Sequence, residues 1–347
     1  MYSLHDRILG SLVTAGMGDA LGVPSEAYSR AEILQEYGGP IDHFIGPGAN
    51  VYGAGNLPAE VTYDSSQMYE MAKAVIATRG ELTVQAAADA LINWTKSYPK
   101  YYPRNAGPTM SLWAKDYLAG GDPLEMAKVG KAYGRGFSNG CAMRIAPAAL
   151  CNPGDLDGAI RTAITMTSVS HGTQHAYSGA CAIACAIAEA LREDSQISSI
   201  LKAAVYGAKE GERIGNREAR QSYGPRVLPR LMQAIDCVYR ADDAAQASVL
   251  LEETVGCSGD IQPTVGIAVG LFAANDGDPL ATIKAAANIG GDTDTFACIA
   301  GMIAGAYRGF HVLPADWYVQ FKEANPMLDF EWAAKELTEI AQIRAKK

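Results

Sequence analysis

A helix that shows only alanine and glycine along one face lets a neighbouring helix approach closely. The run Phe296–Ala306, FACIAGMIAGA, has this form, with Ala297, Ala300, Gly301, Ala304 and Gly305 at helical spacing. Just before it stand Asn288, Ile289, Gly290, Gly291, Asp292, Thr293, Asp294 and Thr295. The glycine pair opens backbone conformations closed to other residues. The two carboxylates therefore sit at the mouth of a helix expected in the centre of the protein. Such a density of hard oxygen donors suits Mg²⁺, Mn²⁺ or Ca²⁺. The plainer reading is capping, because Asp is common at N-caps. A cap uses one residue, however, and leaves the second acid with an uncompensated desolvation cost.

The rest of the chain carries helical periodicity almost throughout, and alternation of β-branched and aromatic residues is nearly absent. A first helix is expected over about Leu4–Leu21, with Asp19 inside a small, apolar stretch where it caps or holds a loop. Glu26 follows Pro24 on a loop, either aimed into a cleft or solvated. Residues 38 to 64 hold many Gly, Pro and Asn and form a long loop of the kind that borders a site. Asp64, Ser65 and Ser66 then stand at a helix start, where an N-cap is the simple reading. The Gly134–Gly140 loop, with Ser138 and Asn139 inside it, offers backbone N–H groups to an anion or sugar, and a plain tight turn fits equally well. His171 precedes a tightly packed helix that carries Gly179 and Ala180, either facing a ligand or capping. Residues 207 to 227, with four arginines, are expected to be a solvated helix and loop.

The chain has 347 residues and a net charge of −9, without a basic patch, which argues against nucleic acid as a partner. Its 7 cysteines are scattered and form no paired zinc motif, as expected of a reducing compartment. The N-terminal residues lack a signal-peptide pattern and no stretch approaches a membrane span. These features point to a cytoplasmic protein with no membrane partner. With no linker or internal repeat, residues 1–347 are expected to be a single all-α domain.

Taken in order, five segments resemble the ADP-ribosylglycohydrolase family: Gly18–Glu26 (GDALGVPSE), Asp64–Met68 (DSSQM), Ser138–Pro147 (SNGCAMRIAP), Thr167–His171 (TSVSH) and Asn288–Thr295 (NIGGDTDT). The resemblance runs from about Gly10 to Trp317. It implies an all-α orthogonal helical bundle with a central metal cleft that takes Mg²⁺ or Mn²⁺. It also implies that Asp64, Asp292, Asp294 and Thr295 are metal ligands, with Ser65 at a further ligand position, and that Glu26 is the acid working beside them. By the same resemblance Ser138, Asn139 and Gly140 hold ribose and phosphates. His171 lies near the ligand, and Gly290 and Gly291 belong to the substrate-binding set. The implied activity is metal-dependent hydrolysis of an N- or O-glycosidic bond to ribose, with an ADP-ribosylated protein or ADP-ribose conjugate as the default substrate. Alternatives are a ribosylated small molecule, such as a nucleoside-like metabolite, and a non-catalytic ADP-ribose-binding or structural relative.

One motif departs from the family pattern. Where the family usually has Thr-Asp-Asp followed by Thr or Ser, this chain has Tyr63, Asp64, Ser65 and Ser66. A hydroxyl thus replaces one carboxylate, so one or two ions are expected, with the second site weakened.

Overall fold

The structure, a computed structural model, describes residues 3–50, 52–104, 106–128 and 136–346. Gly134, the first glycine of the expected anion-binding loop, lies outside the described residues.

Helices account for nearly all the regular structure. In chain order they are α1 (Leu4–Gly22), α2 (Arg30–Tyr37), α3 (Tyr63–Ala77), α4 (Val84–Ser97), α5 (Pro108–Leu118), α6 (Pro123–Lys128), α7 (Ala146–Leu150), α8 (Leu156–Ser168) and α9 (Gln174–Ala190). They continue as α10 (Ile197–Glu218), α11 (Val227–Arg240), α12 (Ala244–Val255), α13 (Ile261–Ala274), α14 (Pro279–Ala287), α15 (Thr293–Arg308), α16 (Ala315–Ala324) and α17 (Phe330–Arg344). Among the described residues there is no β-strand, only two isolated bridges. No described helix is long and apolar enough to cross a membrane. All seven cysteines are free thiols.

The central pair is α1 against α15, and the small residues explain it. A Cβ added at Gly18 would lie 2.3 Å from the Ala297 carbonyl oxygen, and one at Gly301 would lie 2.6 Å from that of Thr14. Gly10 and Gly305 meet in the same way. Two backbones thus touch along their length, as the stripe on α15 permits. Arg7 on α1 donates to the Ala190 and Tyr307 carbonyls at 3.0 and 2.7 Å, satisfying the ends of α9 and α15. Ser3 caps α1 and Gly309, at φ 87°, stops α15.

A second close seam joins α9 and α10, and here the expectation needs correcting. The glycines of α10 are not part of a solvated stretch. Gly207, Gly211 and Gly215 press against Cys181, Tyr177 and Gln174 of α9, while Arg213 and Arg217 on the other face stay exposed. The period that buries the glycines is the helical one, and the charged residues between them masked it. Helix α2, with a capping box at Ser29 and Glu32, was not anticipated either. Its only buried residue is Ile33, so it lacks an apolar stripe to read.

Candidate active site

Backbone contacts bring the acids of two distant segments together. Gly22, the last residue of α1, lies so close to α15 that a Cβ there would be 2.5 Å from the Asp294 Cα. Thr293 Oγ1 donates to the Gly22 carbonyl at 2.9 Å, and Ser25 Oγ donates to the Ala287 carbonyl at 2.6 Å. Beyond Glu26, the Ala27 N–H donates to the Gly291 carbonyl at 2.7 Å and the Gly291 N–H to the Tyr28 carbonyl at 2.9 Å. Gly291 takes φ 75°, and a Cβ there would sit 2.0 Å from the Cys257 carbonyl oxygen. Only glycine fits. The result is that oxygens of Glu26, Asp292 and Asp294 lie within 4.8 Å of one another.

Asp292 occupies the N-cap position of α15 but makes no capping hydrogen bond. Its Oδ2 instead accepts from Asn139 Nδ2 at 2.5 Å. Capping therefore does not explain this acid.

The neighbouring wall comes from the start of α3. Asp19 is buried and accepts from the Thr62 N–H at 3.0 Å and the Ser65 N–H at 3.0 Å. It caps α3 from another helix, the structural role expected for it. The intrahelical cap is Thr62, whose Oγ1 accepts from the Asp64 N–H. Asp64 is therefore not the cap. It is fully buried, and neither of its oxygens has a hydrogen-bond partner. Ser65 Oγ, Asp294 Oδ2 and Thr295 Oγ1 are likewise buried and make no sound hydrogen bond. Buried polar atoms are rarely left so. All are hard oxygen donors, the ligand type that divalent Mg²⁺ or Mn²⁺ takes. The residues present fit such an ion.

The electrostatics agree. Burial raises the pKa of Asp64 and of Asp294 well above the usual carboxylate range, and the neighbouring acids add to it. Burial, then the charges of Asp292 and Asp19, push Glu26 up to about 8. Burial raises Asp19 to about 6 although its hydrogen bonds oppose this, and Asp292 is raised for the same reason. Among the described residues none of these acids makes an ion pair. A bound cation would favour the charged form of each of these acids.

A cleft of about 380 Å³ opens beside Glu26 and Asp292. Ser138, Asn139, Gly140, His171 and Gly291 line it, as do Tyr52, Tyr63, Gln67 and Arg144. Asn139 is committed to Asp292 and Thr264 through its amide nitrogen. Gly290, at φ 94°, packs on the backbone of Tyr28 to Arg30, away from the lining. Arg144 and Gln67 were not singled out from the sequence. The one available signal was a charged residue inside the apolar run CAMRIAPAAL.

Comparison with known proteins gives a consistent picture. A model of the family described as ADP-ribosylglycohydrolase matches residues 1–346. The chain is 29% identical to the uncharacterised protein YegU of Escherichia coli (strain K12), over 98% of each chain. It is 25% identical to the ADP-ribosyl-(dinitrogen reductase) glycohydrolase of Rhodospirillum rubrum, over 91% of this chain and 90% of that one. A solved structure described as an ADP-ribosylglycohydrolase-related protein complex superposes with a TM-score of 0.70 at 22% identity, over 97% of this chain and 99% of that one. That last likeness speaks to the fold alone.

Proposed function

Because this chain belongs to the ADP-ribosylglycohydrolase family, we propose that it is a metal-dependent hydrolase of the bond joining ribose to its aglycone, acting on an ADP-ribose-type conjugate. The observation that carries the reading is the set of buried, partnerless oxygens on Asp64, Ser65, Asp294 and Thr295, beside the Glu26–Asp292–Asp294 cluster. Asp64, Asp292, Asp294 and Thr295 would hold Mg²⁺ or Mn²⁺, with Ser65 a weak further donor. A bound ion supplies Lewis acidity and a fixed anchor for vicinal hydroxyls.

The chain's own residues do the rest. Asn139 holds the Asp292 carboxylate in place through Oδ2. Glu26 lies at the cleft, placed to exchange a proton as the C1 bond breaks. Cleavage of that bond develops positive charge on the sugar ring, and the acidic wall is complementary to it. Ser138, Gly140 and His171 face the part of the ligand beyond the ribose. Tyr63 and Tyr52 in the lining favour a second reading, a smaller ribosyl substrate such as a nucleoside-like metabolite.

The test is hydrolysis of ADP-ribosyl-arginine, ADP-ribosyl-serine and simple N-ribosides with Mg²⁺, with Mn²⁺ and with chelator. The reading expects release of the aglycone only with metal. Turnover undiminished by chelator would overturn the metal part. No turnover of any ribosyl substrate, with ADP-ribose still bound, would favour a non-catalytic binding protein.

A further inference from the structure

Arg144 is fully buried and no carboxylate pairs with it among the described residues. Its NH1 donates to Gln67 Oε1 at 2.6 Å and its NH2 donates to Ser170 Oγ. Ser170 Oγ lies 2.8 Å from His171 Nδ1, and His171 Nε2 lies 3.0 Å from Ser138 Oγ. These contacts form one chain of hydrogen bonds from a buried cation to a hydroxyl at the cleft wall.

Donor and acceptor identities give that chain a direction. A guanidinium has donors only, so Ser170 must accept from it. Ser170 is buried, and among the described residues the remaining contact of its hydroxyl is His171 Nδ1. If Nδ1 carried a proton, the Ser170 hydroxyl hydrogen would be left without an acceptor in a dry site, an expensive arrangement. Nδ1 is therefore the acceptor, and the ring hydrogen sits on Nε2. An imidazolium is disfavoured by the same contact, by burial, and by the charge of Arg144. Nε2–H then donates to Ser138 Oγ, whose own hydrogen has no acceptor among the described residues and is left for the cleft that Ser138 lines. Each link polarises the next. Without Arg144, Ser170 could donate or accept, and nothing would set the sense of the chain.

We infer that Arg144, acting through Ser170, is a positioning residue that holds His171 in its Nε2–H tautomer and makes Ser138 a hydrogen-bond donor toward the ligand. This wall then selects an acceptor, such as a phosphate oxygen, over a ligand group that must itself donate. The same guanidinium turns the Gln67 amide oxygen inward. The ligand clause rests on the ribosyl-substrate reading above; the tautomer does not.

Long-range ¹H–¹⁵N correlation spectra of histidine-labelled protein test it, with His171→Gln to assign the signals. Near neutral pH, His171 of the unaltered protein is expected to be neutral with its hydrogen on Nε2. Ser170→Ala should give a mixture of tautomers, and Ser170→Thr should restore the single one. Calorimetry with ADP-ribose should show roughly 10-fold weaker binding for Ser138→Ala and a several-fold loss for Ser170→Ala, the range of a hydrogen bond to a charged group. Adding Ser170→Ala to Ser138→Ala should weaken binding no further. A Nδ1–H tautomer or an imidazolium in the unaltered protein overturns the inference, and that measurement needs no variant beyond the assignment. An unchanged Nε2–H tautomer in Ser170→Ala overturns the part given to Arg144. If the tautomers behave as expected and ADP-ribose does not bind, the ligand clause falls together with the substrate reading, and the positioning role stands.

Discussion

Asp294 offers a test in which metal and no metal demand opposite signs. Its Oδ1 accepts from the Thr295 N–H at 2.8 Å, while Oδ2 is buried with no partner. In Asp294→Asn the retained oxygen keeps the Thr295 bond. Glu26 and Asp292 each have an oxygen within 4.8 Å of an Asp294 oxygen, so the new NH₂ has acidic neighbours to donate to. In chelator the substitution removes a buried, unsatisfied acceptor, worth about 1–3 kcal/mol, and one charge from a repelling cluster. The chelated variant should therefore be more stable than the chelated parent by about that amount. With Mg²⁺ the order inverts. At an ion concentration about 100-fold above Kd the parent gains about 2.7 kcal/mol, and the variant loses most of that gain.

The pH dependence follows from the raised pKa of Asp294. Below about pH 4, the unfolded carboxyl value, the group is protonated in both states and the chelated proteins should match. As pH rises, the unfolded chain releases this proton first, so the parent loses stability until the native value is passed. The asparagine variant has no such loss, and the gap widens with pH. Thermal unfolding followed by circular dichroism, in chelator and in Mg²⁺ across this range, measures all three signs. A chelated variant less stable than the chelated parent at every pH would refute the account of the cluster.

Three further outcomes are expected. Glu26→Gln should lower kcat by roughly 100-fold, the usual worth of a positioned proton-transfer group, and differential scanning fluorimetry should still detect stabilisation by Mg²⁺. Calorimetric titration of the chelated protein should find one strong ion; Ser65→Asp should add or tighten a second, because a carboxylate is a better ligand for a hard dication than a hydroxyl, and two equally tight ions in the unaltered chain would contradict this. Gly18→Ala, with its Cβ placed 2.3 Å from the Ala297 carbonyl oxygen, should cost about 3 kcal/mol or abolish soluble folding; a denaturation midpoint within error of the parent's would mean that the α1–α15 seam can open.

The helical fold was legible because its signals are local. The stripe on α15 and the first helix, expected to end at Leu21 and ending at Gly22, follow from periodicity and from Pro24. The acids were legible as a group only through their order along the chain. Periodicity says nothing about Ala27, Tyr28 and Gly291 exchanging backbone hydrogen bonds, which is what sets Glu26 beside Asp292. Asn139 was expected to hold ligand; it lines the cleft, and its amide nitrogen also reaches Asp292, a contact across 153 positions that no local pattern carries. Arg144 escaped notice for a related reason. A charge in an apolar run reads as an irregularity until Gln67 and Ser170, far off in sequence, are seen to receive it.

The exchange between Ala27, Tyr28 and Gly291 is made entirely by main-chain atoms. A substitution there acts only through the backbone: a side chain at position 291 breaks the exchange, and so does proline at position 27, which removes the donating N–H. The Tyr28 side chain can drift across generations without altering the spacing of the acids, whereas Ala27, at φ 64°, admits few residues besides glycine and asparagine. Descendants of such a sequence can re-dress the rim and take up new substrates while inheriting the same chemistry.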